Sequence, residues 1–250
     1  MLCPIWGCRP GTGKTRTLSH VVRAAVRQHT AGSSCVLGVA TTRVAVDTLG
    51  SELCASAQPP RLVRVGELSA AASPELRSRS LDAIVAADAR APQLAALREM
   101  HASMHAAGSK KKKITKAAME IAKLDRTIRS DVLLQAEVIL TTVIGAGALP
   151  GHFAHGQPRP TVSCIVLDEA CQCTVPAALV PLMAAAQLGR NDGTMPRLVC
   201  AGDHRQLPAT VVSAEARAGG LGKSILEGLI ATTGRGVSLL DTQYRYVVDC

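Results

Sequence analysis

The sequence predicts an α/β fold: a parallel sheet with helices on both faces and one helical insertion. Three observations carry that prediction. Seven apolar runs have the length and continuity of buried strands, helical patterns fall between most of them, and the stretch 74–135 is helical with no strand signal. The runs are Leu2–Trp6, Cys35–Ala40, Leu62–Val65, Val138–Thr142, Val162–Leu167, Leu198–Ala201 and Val237–Leu240. Their near-continuous apolar character is that of strands covered on both faces, which is the mark of a parallel sheet. Between them, Lys14–Gln28, Val44–Ala55, Val175–Gln187 and Leu221–Ile230 carry helical spacing, so strand and helix alternate. Aromatic residues are only 2% of the chain, so aliphatic and small side chains must fill the core.

Composition narrows the class further. With 47% apolar and 19% charged residues over 250 positions, the chain can bury a core, and global disorder is excluded. No run of about 18 apolar residues is present, so no membrane-spanning helix and no membrane partner are expected. The first residues lack the basic and long apolar regions of a secretory signal. The nine cysteines are odd in number and irregular in spacing, which predicts reduced thiols in an intracellular protein of the nucleus or cytoplasm. Cys171-Gln172-Cys173 is too closely spaced for the common zinc motif, and the pairs His101/His105 and His152/His155 have no evident cysteine partners. A net charge of +9 points to polyanions such as nucleic acid.

The insertion carries Lys110–Lys113 and then Ile114–Arg129, where apolar and basic residues recur at helical spacing. Two readings stay open for it. One is a solvated helical hairpin with a lysine-rich turn; the other is an insertion that touches a phosphate backbone. The lysine run is also compatible with a nuclear signal.

Chemistry concentrates in four places. Gly11, Thr12, Gly13, Lys14 and Thr15 follow a short strand and open a helix. That is the setting of a phosphate-binding loop, in which backbone amides and the helix dipole face phosphate oxygens. Lys14 is expected on the β/γ oxygens and Thr15 on Mg²⁺. The strict pattern wants Gly where this chain has Cys8, with Gly7 one place earlier. Next, the strand Val162–Leu167 runs into Asp168 and Glu169, a pair suited to hold Mg²⁺ and to orient or deprotonate an attacking water. Then Leu198–Ala201 leads to a polar loop holding Gln206, placed to sense the γ-phosphate. Finally, Tyr244 and Arg245 offer a ring to stack on adenine and a cation for transition-state charge.

This ordered set resembles the superfamily 1B helicases of the senataxin and nonsense-mediated-decay type. The phosphate loop G-P-P-G-T-G-K-T is matched at Cys8–Thr15, and A-P-S-N-x-A-V-D-x-L at Ala40–Leu49. D-E-A-x-Q-x-x-E-P is matched at Asp168–Pro176, G-D-x-x-Q-L-P-x-T-V at Gly202–Val211, and L-D-x-Q-Y-R-M at Leu240–Tyr246. Val138–Ala146 resembles the family's short strand and turn before the Asp-Glu motif, and the similarity covers nearly the whole chain. It implies a RecA-like P-loop NTPase sheet that uses ATP and Mg²⁺ and acts on single-stranded RNA or DNA, with 5′ to 3′ movement. By residue, it implies ATP contacts at Gly11, Thr12, Gly13, Lys14, Thr15, Arg16 and Tyr244. Metal falls to Thr15 and Asp168, and catalysis to Glu169, Gln206 and Arg245. Thr42, Arg43, Thr142 and Thr210 fall where the strand is touched; local turn capping is the other reading of those threonines.

The resemblance also implies boundaries. A first RecA-like ATPase domain takes 1–73 and 136–215, the insertion takes 74–135, and 216–250 begins a truncated second RecA-like domain. The departures are Cys8 and Arg9 in the phosphate loop, Thr41 for Pro, Arg43 for Asn and Val175 for Glu. Because the later motifs lie outside the sequence, a fragment of a helicase is expected, binding Mg-nucleotide weakly without unwinding a duplex. A non-catalytic nucleotide- or nucleic-acid-binding module is the alternative. A nucleotide kinase lacks the Gly202–Thr210 and Gln243–Arg245 patterns.

Overall fold

The computed structural model describes residues 5–8, 12–28, 34–189, 195–203, 208–233, 237–240 and 242. Seven parallel strands form one sheet: β1 (Ile5–Cys8), β2 (Ser34–Ala40), β3 (Leu62–Arg64), β4 (Val138–Thr142), β5 (Thr161–Asp168), β6 (Arg197–Gly202) and β7 (Val237–Leu240). Their order is β3-β4-β2-β5-β6-β1-β7, so β6 separates β1 from β5. The strands predicted from the apolar runs are present, and the first is displaced to Ile5–Cys8. Cys8 therefore ends a strand instead of opening the loop.

Alternation along each central strand splits the core in two. Leu37 and Val39 of β2, Ile139 of β4, and Ile165 and Leu167 of β5 face one apolar cluster. Their neighbours Val36, Val138, Leu140, Cys164 and Val166 face the other. A period of two turns successive side chains to opposite faces, so a continuous apolar run fits only a sheet buried on both. One face is covered by α1 (Lys14–Arg27) and α2 (Arg43–Cys54) through Leu18, Val22, Val46, Leu49 and Leu53. The other face is covered by the insertion and α7 (Val175–Gly189), through Leu133, Ala178, Ala185 and Leu188.

The insertion is four helices: α3 (Pro74–Ser78), α4 (Leu81–Ala87), α5 (Ala91–Ala106) and α6 (Lys111–Gln135). Lys111, Lys112 and Lys113 lie in the first turn of α6, so the expected lysine-rich turn is instead a helix start. A 3-10 turn spans Gly145–His152, and two helices follow β6: α8 (Ala214–Ala218) and α9 (Ile225–Thr233). Neither the 3-10 turn nor α8 shows in the apolar spacing.

One boundary changes. The segment 216–250 was expected to open a second lobe, but β7 pairs with β1 from Ile5↔Val237 to Cys8↔Leu240. The described part of that segment thus completes the first sheet. A four-residue apolar strand next to β1 gains a full ladder of backbone hydrogen bonds there, which an isolated strand would lack.

Candidate nucleotide-binding site

The site forms where α1 starts and β5 ends, at the carboxyl edge of the sheet, where open α/β sheets place their ligands. Gly13 caps α1 with φ 78°, a left-handed conformation that a side chain would strain. The Thr17 backbone amide and hydroxyl both donate to the Gly13 carbonyl, at 2.9 and 3.1 Å, tightening the first turn. Thr12 is buried, Lys14 and Thr15 are half-buried, and Arg16 is exposed. No acidic residue sits in the first turn of α1, so no carboxylate of the helix itself competes for its first amides.

Lys14 reaches across to β5. Its ammonium lies 3.6 Å from Oδ1 of Asp168, whose side chain is 3% exposed. Glu169 follows at φ 53°, the single described non-glycine residue with positive φ. Holding an L-residue there costs about 1–3 kcal/mol and persists only where the surroundings fix it. The surroundings do so: the Glu169 amide donates to Asp168 Oδ1 at 2.8 Å, and the Thr41 hydroxyl contacts Glu169 Oε2 at 3.5 Å. Gly202 at the end of β6 closes the back of this turn. A Cβ there would stand 2.9 Å from the Cys171 amide nitrogen and 3.2 Å from that of Ala170, so only glycine lets β6 approach.

Burial raises the Asp168 carboxyl above its ordinary range, against the lowering pull of Lys14. Glu169 is raised for the same reason, with the neighbouring Asp168 charge adding to it. Lys14 is the cation that offsets part of this cost at both carboxyls. The donor types suit Mg²⁺: the buried Asp168 carboxylate and the hydroxyl of Thr15, next in sequence to Lys14, are hard oxygens, and that ion takes its remaining ligands from phosphate and water. Among the described residues no group of three His, Cys, Asp or Glu is placed to hold a metal by protein side chains alone.

Cys35, Cys54, Cys164, Cys171, Cys173 and Cys200 form no disulfide, and burial pushes the Cys35 and Cys200 thiols up to about 12. A thiol is a poor nucleophile in that state.

The proposed strand-contacting residues separate. Arg43 and Thr142 meet at a cavity of about 390 Å³ at the same sheet edge, with Arg129, Gly145 and His152 among its other walls. Arg43 pairs with Glu67, and both are exposed. Thr42 caps α2, accepting from the Ala45 amide at 3.2 Å, and Thr142 accepts from the Gly145 amide at 3.0 Å. Both hydroxyls accept in these caps, and a hydroxyl can donate as well as accept. Thr210 is exposed between buried Ala209 and Val211, and is not among the residues lining that cavity. Gly11, Gln206, Tyr244 and Arg245 lie outside the described residues.

The sequence reading missed one polar pair. Arg64 and Asp47 are each 1% exposed and joined at 2.7 Å. Arg64 also donates to the carbonyls of Val65 and Glu67, and Asp47 Oδ2 accepts from the Ser69 amide at 2.6 Å. This network pins the loop after β3 and with it Glu67, the partner of Arg43. Its signal was legible: an Asp among the apolar positions of α2, and an Arg inside the short run Leu62–Val65.

A family model described as an AAA domain matches residues 1–120 and 98–214. The chain is similar to DNA-binding protein SMUBP-2 of Mesocricetus auratus, at 30% identity over 254 residues, covering 94% of this chain and 23% of that protein. It is also similar to the regulator of nonsense transcripts 1 homolog of Arabidopsis thaliana, at 29% identity, covering 94% of this chain and 17% of the relative. An uncharacterized ATP-dependent helicase of Methanocaldococcus jannaschii is 26% identical, with 94% of this chain and 39% of the relative covered. The chain thus spans well under half the length of each of these relatives. No described helix is long and apolar enough to cross a membrane.

Proposed function

The chain belongs to the AAA-domain family as a RecA-like lobe of the superfamily 1 helicases, and on that premise we propose that it hydrolyses ATP while gripping a single strand of RNA or DNA. The observation that carries the reading is the meeting of Lys14, Asp168 and Glu169 at one sheet edge, with Lys14 3.6 Å from Asp168.

In this reading Lys14 leaves Asp168 for the β/γ oxygens of ATP, and the amides of Gly11, Thr12 and Gly13 close around the phosphates. Thr15 and Asp168 would hold Mg²⁺, which would supply charge neutralisation on those oxygens. Arg16 stands at the outer side of the first turn and Tyr244 stacks on adenine. Water attacks the γ-phosphorus, the bond to the β–γ bridging oxygen breaks, and ADP leaves. Glu169 takes the water's proton, Gln206 orients the water, and Arg245 meets the charge on the transferring group. Arg43, Thr42, Thr142 and Thr210 hold the strand by its backbone, since hydroxyls and guanidinium groups bond phosphate and sugar without reading bases. The names of the relatives support both halves: one is called a DNA-binding protein and another an ATP-dependent helicase.

Nucleotide binding tests the first half. Titration with Mg-ATP is expected to give a Lys14→Ala variant an affinity about 10–100-fold below that of the unaltered chain, the worth of a hydrogen bond to a charged group. Equal affinities would remove Lys14 from the site.

A further inference from the structure

Resting on that reading, we propose that the exposed lysines at the start of α6 form a second nucleic-acid contact, separate from the strand site and directed at backbone phosphates. Lys110, Lys111, Lys112, Lys113 and Lys116 are all exposed, and none has an ion-pair partner among the described residues. Three arginines of the same insertion differ. Arg90 pairs with Asp88 and Asp131, Arg98 with Asp125, and Arg129 with Asp82 and Asp125. The paired acids, Asp82, Asp88, Asp125 and Asp131, all serve arginines, and no ion pair among the described residues neutralises the lysines.

Within the helix itself the lysine patch is unfavourable. Cations in the first turn oppose the helix dipole, and Lys112 and Lys116 stand at i,i+4 spacing, where like charges repel. Lys110 makes no side-chain cap. The arrangement costs the free protein stability that a bound polyanion returns.

Geometry sets the patch on the side of the strand site. Arg129 of α6 shares the cavity at the carboxyl edge of the sheet with Arg43 and Thr142. At a rise of about 1.5 Å per residue, the run from Arg129 back to Lys111 reaches about 27 Å along the helix axis, away from the end that leads into β4. That is beyond the ~8 Å screening length at physiological salt, so the lysines act as a contact of their own and not as part of the field at the strand site. The face around them is lined by Lys111, Lys112, Thr115, Lys116 and Met119. It offers hydroxyl and ammonium groups and no aromatic wedge, which suits phosphate better than a bilayer.

The test is the salt dependence of binding by the full 250-residue chain. Two DNA probes are compared: a single strand of about 20 nucleotides, and a shorter strand joined to a duplex arm of about ten base pairs, which at about 3.4 Å per pair spans the distance to the tip. The variant replaces Lys111, Lys112, Lys113 and Lys116 by Gln; a second replaces the same four by Arg. On at least one probe, the Gln variant is expected to lose about 3 from the slope of log affinity against log salt, at roughly 0.7–0.9 per phosphate contact. The Arg variant is expected to keep the slope, and thermal melts are expected to show the Gln variant folded. Loss on the junction alone assigns the patch to duplex phosphates, and loss on both assigns it to a longer path of the strand. Equal slopes for the unaltered chain and the Gln variant on both probes would overturn the proposal and leave the strand site standing. So would a Gln variant that loses binding only to phosphatidylserine vesicles or polyglutamate. Absence of DNA binding by the unaltered chain would overturn both this proposal and the strand-gripping function.

Discussion

An Arg64→Met variant is expected to lose about 3–5 kcal/mol of stability in denaturant unfolding, because it strands the Asp47 carboxylate in the core. Asp47 is 1% exposed, and its first oxygen is held by Arg64. The second oxygen already accepts from the Ser69 amide and cannot compensate. Removing both charges, as Asp47→Leu with Arg64→Met, is expected to recover only part of the loss. The carbonyls of Val65 and Glu67 and the Ser69 amide would still lack partners, at about 1 kcal/mol or more each. The same substitution frees Glu67, so the single variant is also expected to loosen the Arg43 side of the cavity. A loss below about 1 kcal/mol would show the pair to be dispensable, as exposed ion pairs are.

A Glu169→Gln variant is expected to lower the rate of ATP hydrolysis by about 10²–10⁴, the usual worth of a positioned general base. Mg-ATP binding is expected to survive, since Lys14 and Asp168 are untouched. The two readouts separate a base from a ligand: a parallel loss of binding would make Glu169 part of the phosphate or metal grip. The pH profile gives a second check. Glu169 accepts a proton only when ionised, and burial raises its carboxyl in the fold. The acid limb of the hydrolysis rate should therefore lie above the ordinary carboxylate range, and it should vanish in Glu169→Gln. For the free protein the linkage has the opposite sense. A carboxyl raised in the fold binds protons more readily there than in the unfolded chain, so its cost to stability at neutral pH is relieved as pH falls through the folded value.

The strands were legible because a strand buried on both faces must be apolar at every position, as β2 and β5 are over most of their length. That Lys14 and Asp168–Glu169 would meet was legible for a chemical reason: a site for phosphate and Mg²⁺ would call for those residue types at fixed points after a strand. What the chain hid is what depends on partners far along it. β7 is an apolar run like the others, and its own residues do not say that it lies beside β1 and not in a second lobe. The glycine- and alanine-dominated 3-10 turn at Gly145–His152 has no apolar period to detect. The left-handed turn at Glu169 is set by Asp168 and by the close approach of Gly202, not by Glu169 itself. The lysine run was visible from the start, but its lack of acidic partners became visible only when the arginines' partners were placed.

Steady-state ATP hydrolysis by the chain, with and without single-stranded RNA or DNA and beside a Lys14→Ala control, tests the central claim most directly. The account predicts hydrolysis that rises when strand is added and is lost in the control, because one sheet edge carries both Lys14–Asp168–Glu169 and the Arg43–Thr142 cavity. Tight Mg-ATP binding with no turnover at any strand concentration would contradict it, and would make the chain a nucleotide-binding module whose site does not complete the reaction.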